Sequence, residues 1–183
     1  MNSDPDTAAL DSELDGFVRE IALSVSVHRD RSPAMVWPEH EPVALLTGLA
    51  DVAAARLELL SGRWWNVLSA GPEATVLADR LQAALGRLVR ADYAAAPSWQ
   101  DSSELNVDGE ALLLPLRGGY DFTVFPPAAA GRLGESPAGS TTPLRLRLHT
   151  AEVLYAPTGW RLSVSGGTTA AVLLVLHLTA PGA

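Results

Sequence analysis

The chain has 183 residues, 48% of them hydrophobic and 19% charged, which supplies one well-buried core and is slightly long for a minimal domain. Cysteine is absent, which excludes a disulfide framework, a thiolate nucleophile and a zinc ribbon. The net charge is −8 and all 13 basic residues are arginines, so Schiff-base and Walker-type lysines are excluded, and the basic stripe that a nucleic-acid backbone requires is missing.

Met1 to Thr7 is acidic and lacks both a basic n-region and an apolar stretch, so no secretory signal is expected. The longest apolar run, Ala170 to Leu178, is about half the roughly 20 residues of a spanning helix and reads as a buried strand. A cytoplasmic protein with neither a membrane nor a nucleic acid as partner is the expectation.

Residues 1–9 read as a disordered acidic tail. Leu10, Leu14, Phe17, Val18 and Ile21 then recur on one helical face, with Ser12 and Asp15 spaced as a capping box for a late start. Leu23, Val25 and Val27 alternate with serines, which predicts a short strand. Three prolines between Pro33 and Pro42 make that stretch loop or extended chain, with Trp37 expected beneath it. Leu49 to Leu60 is alanine- and leucine-rich and predicts a helix ending near Gly62, followed by a strand over Trp64 to Leu68. Val76, Leu77, Leu81, Ala84, Leu85 and Leu88 predict a second helix, with Pro72 at an early position and Gly86 near the stop.

Beyond residue 89 the period changes to two, and the remainder predicts an all-β half. Residues 111–116 form an apolar strand whose Pro115 implies an edge or a bulge. Residues 120–125 are expected to pair with it as a hairpin across Gly118 and Gly119. Ala128 to Thr142 reads as a flexible connection. Leu144, Leu146 and Leu148 alternate with Arg145, Arg147 and His149 to give one buried and one wet face, and residues 152–156, 160–165 and 170–179 complete a sandwich or barrel.

Two stretches resemble the JmjC-type cupins that include ribosomal-protein hydroxylases, and with the preceding helix the resemblance covers roughly residues 60–180. The first is Asn106-Val107-Asp108, the strand Ala111 to Leu116, Gly118-Gly119-Tyr120-Asp121-Phe122 and Phe125-Pro126-Pro127. The second runs from Thr150 through Val153-Leu154-Tyr155-Ala156-Pro157-Thr158-Gly159-Trp160 to Leu162, followed by Leu176-His177-Leu178-Thr179. The resemblance implies a double-stranded β-helix with N-terminal helices. It also implies a metal site of two histidines and a carboxylate, with open positions for 2-oxoglutarate and oxygen on Fe(II). Here Asn106 stands for the first histidine, Leu162 for the last, and Asp108 for the carboxylate; counting back from Gly118 without a gap instead places the pair at Leu105 and Val107. The basic residue that would meet the co-substrate falls near Tyr120, and the family tryptophan becomes Phe122.

Outside that comparison, His177 reads as a satisfied core histidine, with a pocket acid, base or substitute ligand as the sharper option. His149 reads as part of a solvated strand face, and His28 and His40 as surface residues. Asn106 and Asp108 read as turn residues, or as groups positioning a substrate amide or cation. Trp160 is expected to pack against the barrel end. No Gly-x-Ser-x-Gly elbow frames a nucleophile.

The expectation is therefore a domain over 10–183, helical over about 10–88 and a barrel over about 89–180. Its degenerate pocket comprises Asn106, Asp108, Tyr120, Phe122, Leu162 and His177, with no catalytic residue, metal or cofactor assigned. Such a barrel would act as a binding or assembly module for a small molecule, peptide or partner protein, and as a homodimer. Two alternatives are an isomerase or cyclase with Asp108 as base and Tyr120 as donor, and a metal enzyme with relocated ligands such as His149, Glu152 and His177.

Overall fold

A computed structural model describes residues 5–58, 66–95, 103–105, 109–127, 142–166 and 171–180. The first helix, α1, spans Pro5–His28. Pro5 suits an initial helical turn, where a missing N–H leaves nothing unpaired. Leu14, Phe17, Val18, Ile21 and Val25 form the buried stripe. The strand expected at Leu23 to Val27 is thus the end of this helix. Only Val25 lies on the buried face, while Leu23 and Val27 are 66% and 52% exposed, because Val25 continues the spacing of Val18 and Ile21. The early start also puts residues 5–9 in helix rather than tail. Ser12 and Asp15 lie inside α1, so no capping box forms there, and Asp15 pairs with Arg80.

After β1 (Ala34–Val36), Trp37 is 64% exposed and does not pack beneath the loop as expected. The second helix, α2, spans Val43–Glu58 and buries Leu46, Leu49, Ala50, Ala53 and Leu57. Its predicted stop at Gly62 and the predicted strand start at Trp64 lie outside the described residues; β2 is Asn66–Ser69. A 3₁₀ turn at Pro72–Ala74 leads into α3, Thr75–Leu85. Gly86 ends it with φ +64°, its N–H bonded to the Gln82 carbonyl, the left-handed cap that glycine adopts without a Cβ penalty. Leu77 and Leu81 are buried, whereas Val76 is 51% exposed.

The strands that follow are β3 (Leu88–Ala95), β4 (Ser103–Leu105), β5 (Glu110–Arg117), β6 (Tyr120–Phe125), β7 (Leu144–Leu148), β8 (Val153–Ala156), β9 (Arg161–Gly166) and β10 (Val172–Thr179). Among the described residues they form two antiparallel sheets, ordered β1-β8-β5-β10-β3-β2 and β4-β9-β6-β7. From β3 onward the chain crosses between the sheets at every connection except that from β6 to β7, which are neighbours in the small sheet. The residues forecast as the 128–141 part of the connection before β7 lie outside the described set.

Two cores result. The inner faces of both sheets enclose Leu113, Tyr120, Phe122, Val124, Leu154, Leu162, Val164, Leu173 and Val175, while the other face of the large sheet is covered by the helices through Phe17, Ile21, Leu49, Leu77, Leu112, Leu114 and Tyr155. Covering on both faces explains why β5 and β10 read as unbroken apolar runs. Pro115 therefore sits in a central strand, not an edge. It is accommodated by a bulge, where Leu173 faces Pro115 and the adjacent Val172 faces Arg117. The expected hairpin between β5 and β6 does not form either. Gly118 and Gly119 carry the chain from one sheet to the other, and β6 pairs with β7 and β9. In β7, Leu148 is buried but Leu144, at the far end of this edge strand, is 51% exposed. No helix among the described residues is long and apolar enough to cross a membrane.

Candidate functional site

The register divides the barrel interior into layers. On the small sheet Leu162 lies opposite Leu105 and Val124, Val164 opposite Phe122, and Gly166 opposite Tyr120. On the large sheet Ala111 lies opposite both His177 and Ala156, and Val175 opposite both Asp92 and Leu113. Because the chain reverses at Gly118 and Gly119, the end of β6 returns to the level at which β5 begins. Leu162, Val124, Ala111 and His177 thus stand at one end, called here the upper end, where β4 finishes and β5 and β9 start.

Leu162 is 1% exposed and packed in the interior cluster. Trp160 lies at the same end and packs partly buried against that cluster, as its sequence position suggested. Phe122 is one layer deeper. Tyr120 is two layers deeper, about 13 Å along the strand from the level of Leu162, and is wholly buried against Phe122 with ring centroids 6.1 Å apart. Tyr120 therefore belongs to the lower end of the barrel. Asn106 and Asp108 lie outside the described residues. Gly109, which follows them, has φ +102° and lies against the Leu178 carbonyl of β10.

His177 is largely buried and has a partner, as the reading of a satisfied core histidine expected. Its Nε2 is 3.1 Å from Asp92 Oδ2, and Arg90 Nη2 is 3.0 Å from the same oxygen. The side chains of His177 and Asp92 are 15% and 9% exposed, that of Arg90 69%. Asp92 shares the inner face with Ala94, while Tyr93 between them turns to the helical core. Sequence reading passed over Asp92. The available signal was a carboxylate inside the alternating run Arg90-Ala91-Asp92-Tyr93-Ala94, but its partner lies 85 positions away and only strand pairing brings the two together.

The other ionisable groups are placed differently. His149 is exposed beyond β7, its backbone N–H donating to Glu152 Oε2 at 2.8 Å. Ala151, beside them, donates its N–H to the Pro115 carbonyl, four residues along β5 from the position opposite His177. At about 3.3 Å per residue that is roughly 13 Å, so His149, Glu152 and His177 do not assemble as a relocated ligand set. Among the described residues no three His, Cys, Asp or Glu side chains are grouped to hold a metal. His40 is bonded to Glu20, and His28 to Ser32, both on the helical side.

The Fe(II) site of the resembled family needs two imidazoles and a carboxylate with open positions. At Leu162, the position that the resemblance assigns to the last imidazole, the side chain is a buried hydrocarbon with no lone pair, packed among Leu105, Val124 and Val164. A hydrocarbon there does not fit that metal, and the other two assigned positions, Asn106 and Asp108, lie outside the described residues.

No protein-family model matches the chain, and no curated protein matches it. Solved structures do. A prolyl-4-hydroxylase from Pseudomonas putida aligns with a TM-score of 0.58 at 12% identity, over 90% of this chain and 95% of that one. YcfD, a ribosomal oxygenase from Escherichia coli in complex with cobalt and 2-oxoglutarate, aligns with a TM-score of 0.52 at 11% identity, over 87% of this chain and 52% of that one. The chain thus spans about half the length of YcfD. At these identities the likeness is one of architecture, and it agrees with the order of strands in both sheets: the chain has a JmjC-like cupin fold, a double-stranded β-helix with helices packed on its large sheet.

Proposed function

We propose that this protein is a cupin-type barrel that works without a metal, taking a small molecule or a peptide segment at its upper end as a binding or assembly module. The observation that carries this reading is Leu162, buried at 1% exposure where the resembled oxygenases place a histidine. Its neighbours Leu105 and Val124 are apolar as well, so the wall suits an apolar ligand surface better than a charged co-substrate. Assembly as a homodimer is part of the same proposal, supported by the exposed Leu23 and Val27 on α1 and tested by light scattering.

Metal analysis tests the central claim. Protein purified in the presence of Fe(II), Mn(II) or Zn(II) and then desalted is expected to retain only substoichiometric metal and to leave 2-oxoglutarate unconsumed. Stoichiometric Fe(II) together with 2-oxoglutarate turnover overturns it. Native mass spectrometry of the same preparation reads what co-purifies.

A further inference from the structure

In a chain of net charge −8, two arginines stand next to each other on the solvent face of β7. Arg145 and Arg147 are exposed and alternate with Leu144, Leu146 and Leu148. Strand register sets Arg145 opposite Thr123 and Arg147 opposite Asp121, and these lie in turn opposite Ser163 and Ser165. Asp121, Thr123, Arg145, Arg147 and Ser165 line an open hollow of about 450 Å³ on that face. The carboxylate in it compensates little: Asp121 is 3.9 Å from Arg147, with side chains 50% and 56% exposed. Among the described residues no acidic group pairs with Arg145.

The same strand ends the small sheet. It pairs with β6 on one side, and among the described residues no strand pairs with the other. An edge strand presents a row of backbone N–H and C=O groups to which a further strand can bond. The inner face of β7 is unfinished as well. Leu148 is fully buried, but Leu146 is only partly covered against the interior cluster and Leu144 is 51% exposed. A strand added beyond β7 sets its inward side chains against these leucines and its outward ones against Arg145 and Arg147, because facing residues of paired strands share a side of the sheet. A second copy of β7 does not meet that pattern. Any register that keeps the leucines on the inner face sets arginine beside arginine, and like charges placed so are destabilising.

We infer that β7 is a docking edge for an extended acidic peptide, which adds to the small sheet as a further strand. The chemistry of the partner follows from the strand it meets: carboxylates at alternate positions for Arg145 and Arg147, with apolar side chains between them for Leu144 and Leu146. Main-chain hydrogen bonds supply the hold, and the two ion pairs supply the choice of partner. A chain of net charge −8 repels an acidic peptide at long range, so the attraction has to be local to this strand. The surface lies on the edge and outside of the small sheet, so the inference stands apart from the metal-free reading of the barrel interior.

The test is fluorescence anisotropy of the full chain with a fluorescein-labelled peptide of alternating valine and glutamate. Saturable binding is expected, weakening as salt is added. R145E/R147E, with both substitutions on the solvent face, is expected to bind this peptide about tenfold more weakly and to gain binding of a peptide in which arginine replaces glutamate, its fold being checked by circular dichroism. The acidic peptide with every backbone nitrogen methylated keeps its charges but cannot donate along an edge, and it is expected not to bind. Absence of saturable binding, or equal binding by R145E/R147E, overturns the inference. So does equal binding of the methylated peptide, or its unmethylated parent being displaced by inorganic phosphate as readily as by unlabelled peptide, since either result assigns the hollow to a free oxyanion. Light scattering reads the remaining occupant: a dimer that is lost in R145E/R147E gives the edge to a second copy and overturns the inference too. None of these outcomes bears on metal retention, which tests the barrel interior separately.

Discussion

Arg87, in the turn between α3 and β3, and Glu110, at the start of β5, form an ion pair at 2.8 Å with side chains 10% and 4% exposed. Removing one partner leaves the other charge buried without compensation. R87M is therefore expected to lower stability by about 3–5 kcal/mol, and the double variant R87M/E110M to recover most of the loss. Urea denaturation of the two variants checks this, the double variant being the informative one because it separates packing from charge.

Leu162 has a simpler energetic role. Its side chain fills the uppermost interior layer between Leu105 and Val124, and truncation leaves a cavity whose lining loses its contacts. L162A is expected to cost about 2–5 kcal/mol. L162H also destabilises, because it places an imidazole among hydrocarbons, and it is not expected to confer stoichiometric Fe(II) binding. A residue whose wild-type role was to hold metal would behave in the reverse way: histidine would restore binding, and alanine would cost little stability.

These two sites show how unevenly sequence conveys structure. The strand that carries Leu162 was legible because its residues alternate directly after a local segment, Val153 through Trp160, that carries the family pattern. The alternation of β6 and the cap at Gly86 were legible for the same local reason. Pairing was not. The diglycine at 118–119 suggested a hairpin, but closing the barrel demands that β5 and β6 lie in different sheets, and that demand is global. Leu23, Val25 and Val27 satisfy both a two-residue and a four-residue period at their central member, and only docking of α1 against the sheet chooses between them. Asp92 was invisible because nothing near it in sequence names His177.

Glu20 supplies an acid-dependent term on the helical side. Burial pushes its pKa up, but the bonds from His40 and from the Glu39 backbone N–H outweigh burial and hold it below the ordinary value of 4.5. With a folded-state pKa depressed in this way, the carboxylate stabilises the protein fully above about pH 4.5, and the contribution is lost as pH falls through the lower folded value. Glu73, held down by Gly71, Tyr93 and Arg56 against its own burial, acts in the same direction. E20Q is expected to flatten part of the acid limb of a urea-midpoint profile and to leave the Glu73 part. An unchanged limb in E20Q contradicts this.

The alkaline limb has the opposite sign and a different origin. Tyr155 is wholly buried on the helical face of β8, and burial, with the negative charges of Glu110 and Asp30 adding to it, pushes its phenol from 10.0 up to about 12. Tyr93, buried against Glu73, is pushed up as well. A folded pKa above the unfolded one means that the folded state keeps a proton the unfolded chain gives up. Stability from this source is intact below about pH 10 and falls as pH rises through 10 toward 12. Y155F has no phenolic proton and should unfold less steeply over that window, while changing stability near neutrality by only about 1 kcal/mol. Absorbance of ionised tyrosine, followed beside circular dichroism, should show the buried phenols of the unsubstituted protein ionising together with unfolding. Ionisation well before loss of structure would mean that the helical layer admits solvent to Tyr155, and the burial that positions the large sheet against α1 and α2 would then be looser than the contacts of Phe17, Leu49 and Leu112 require.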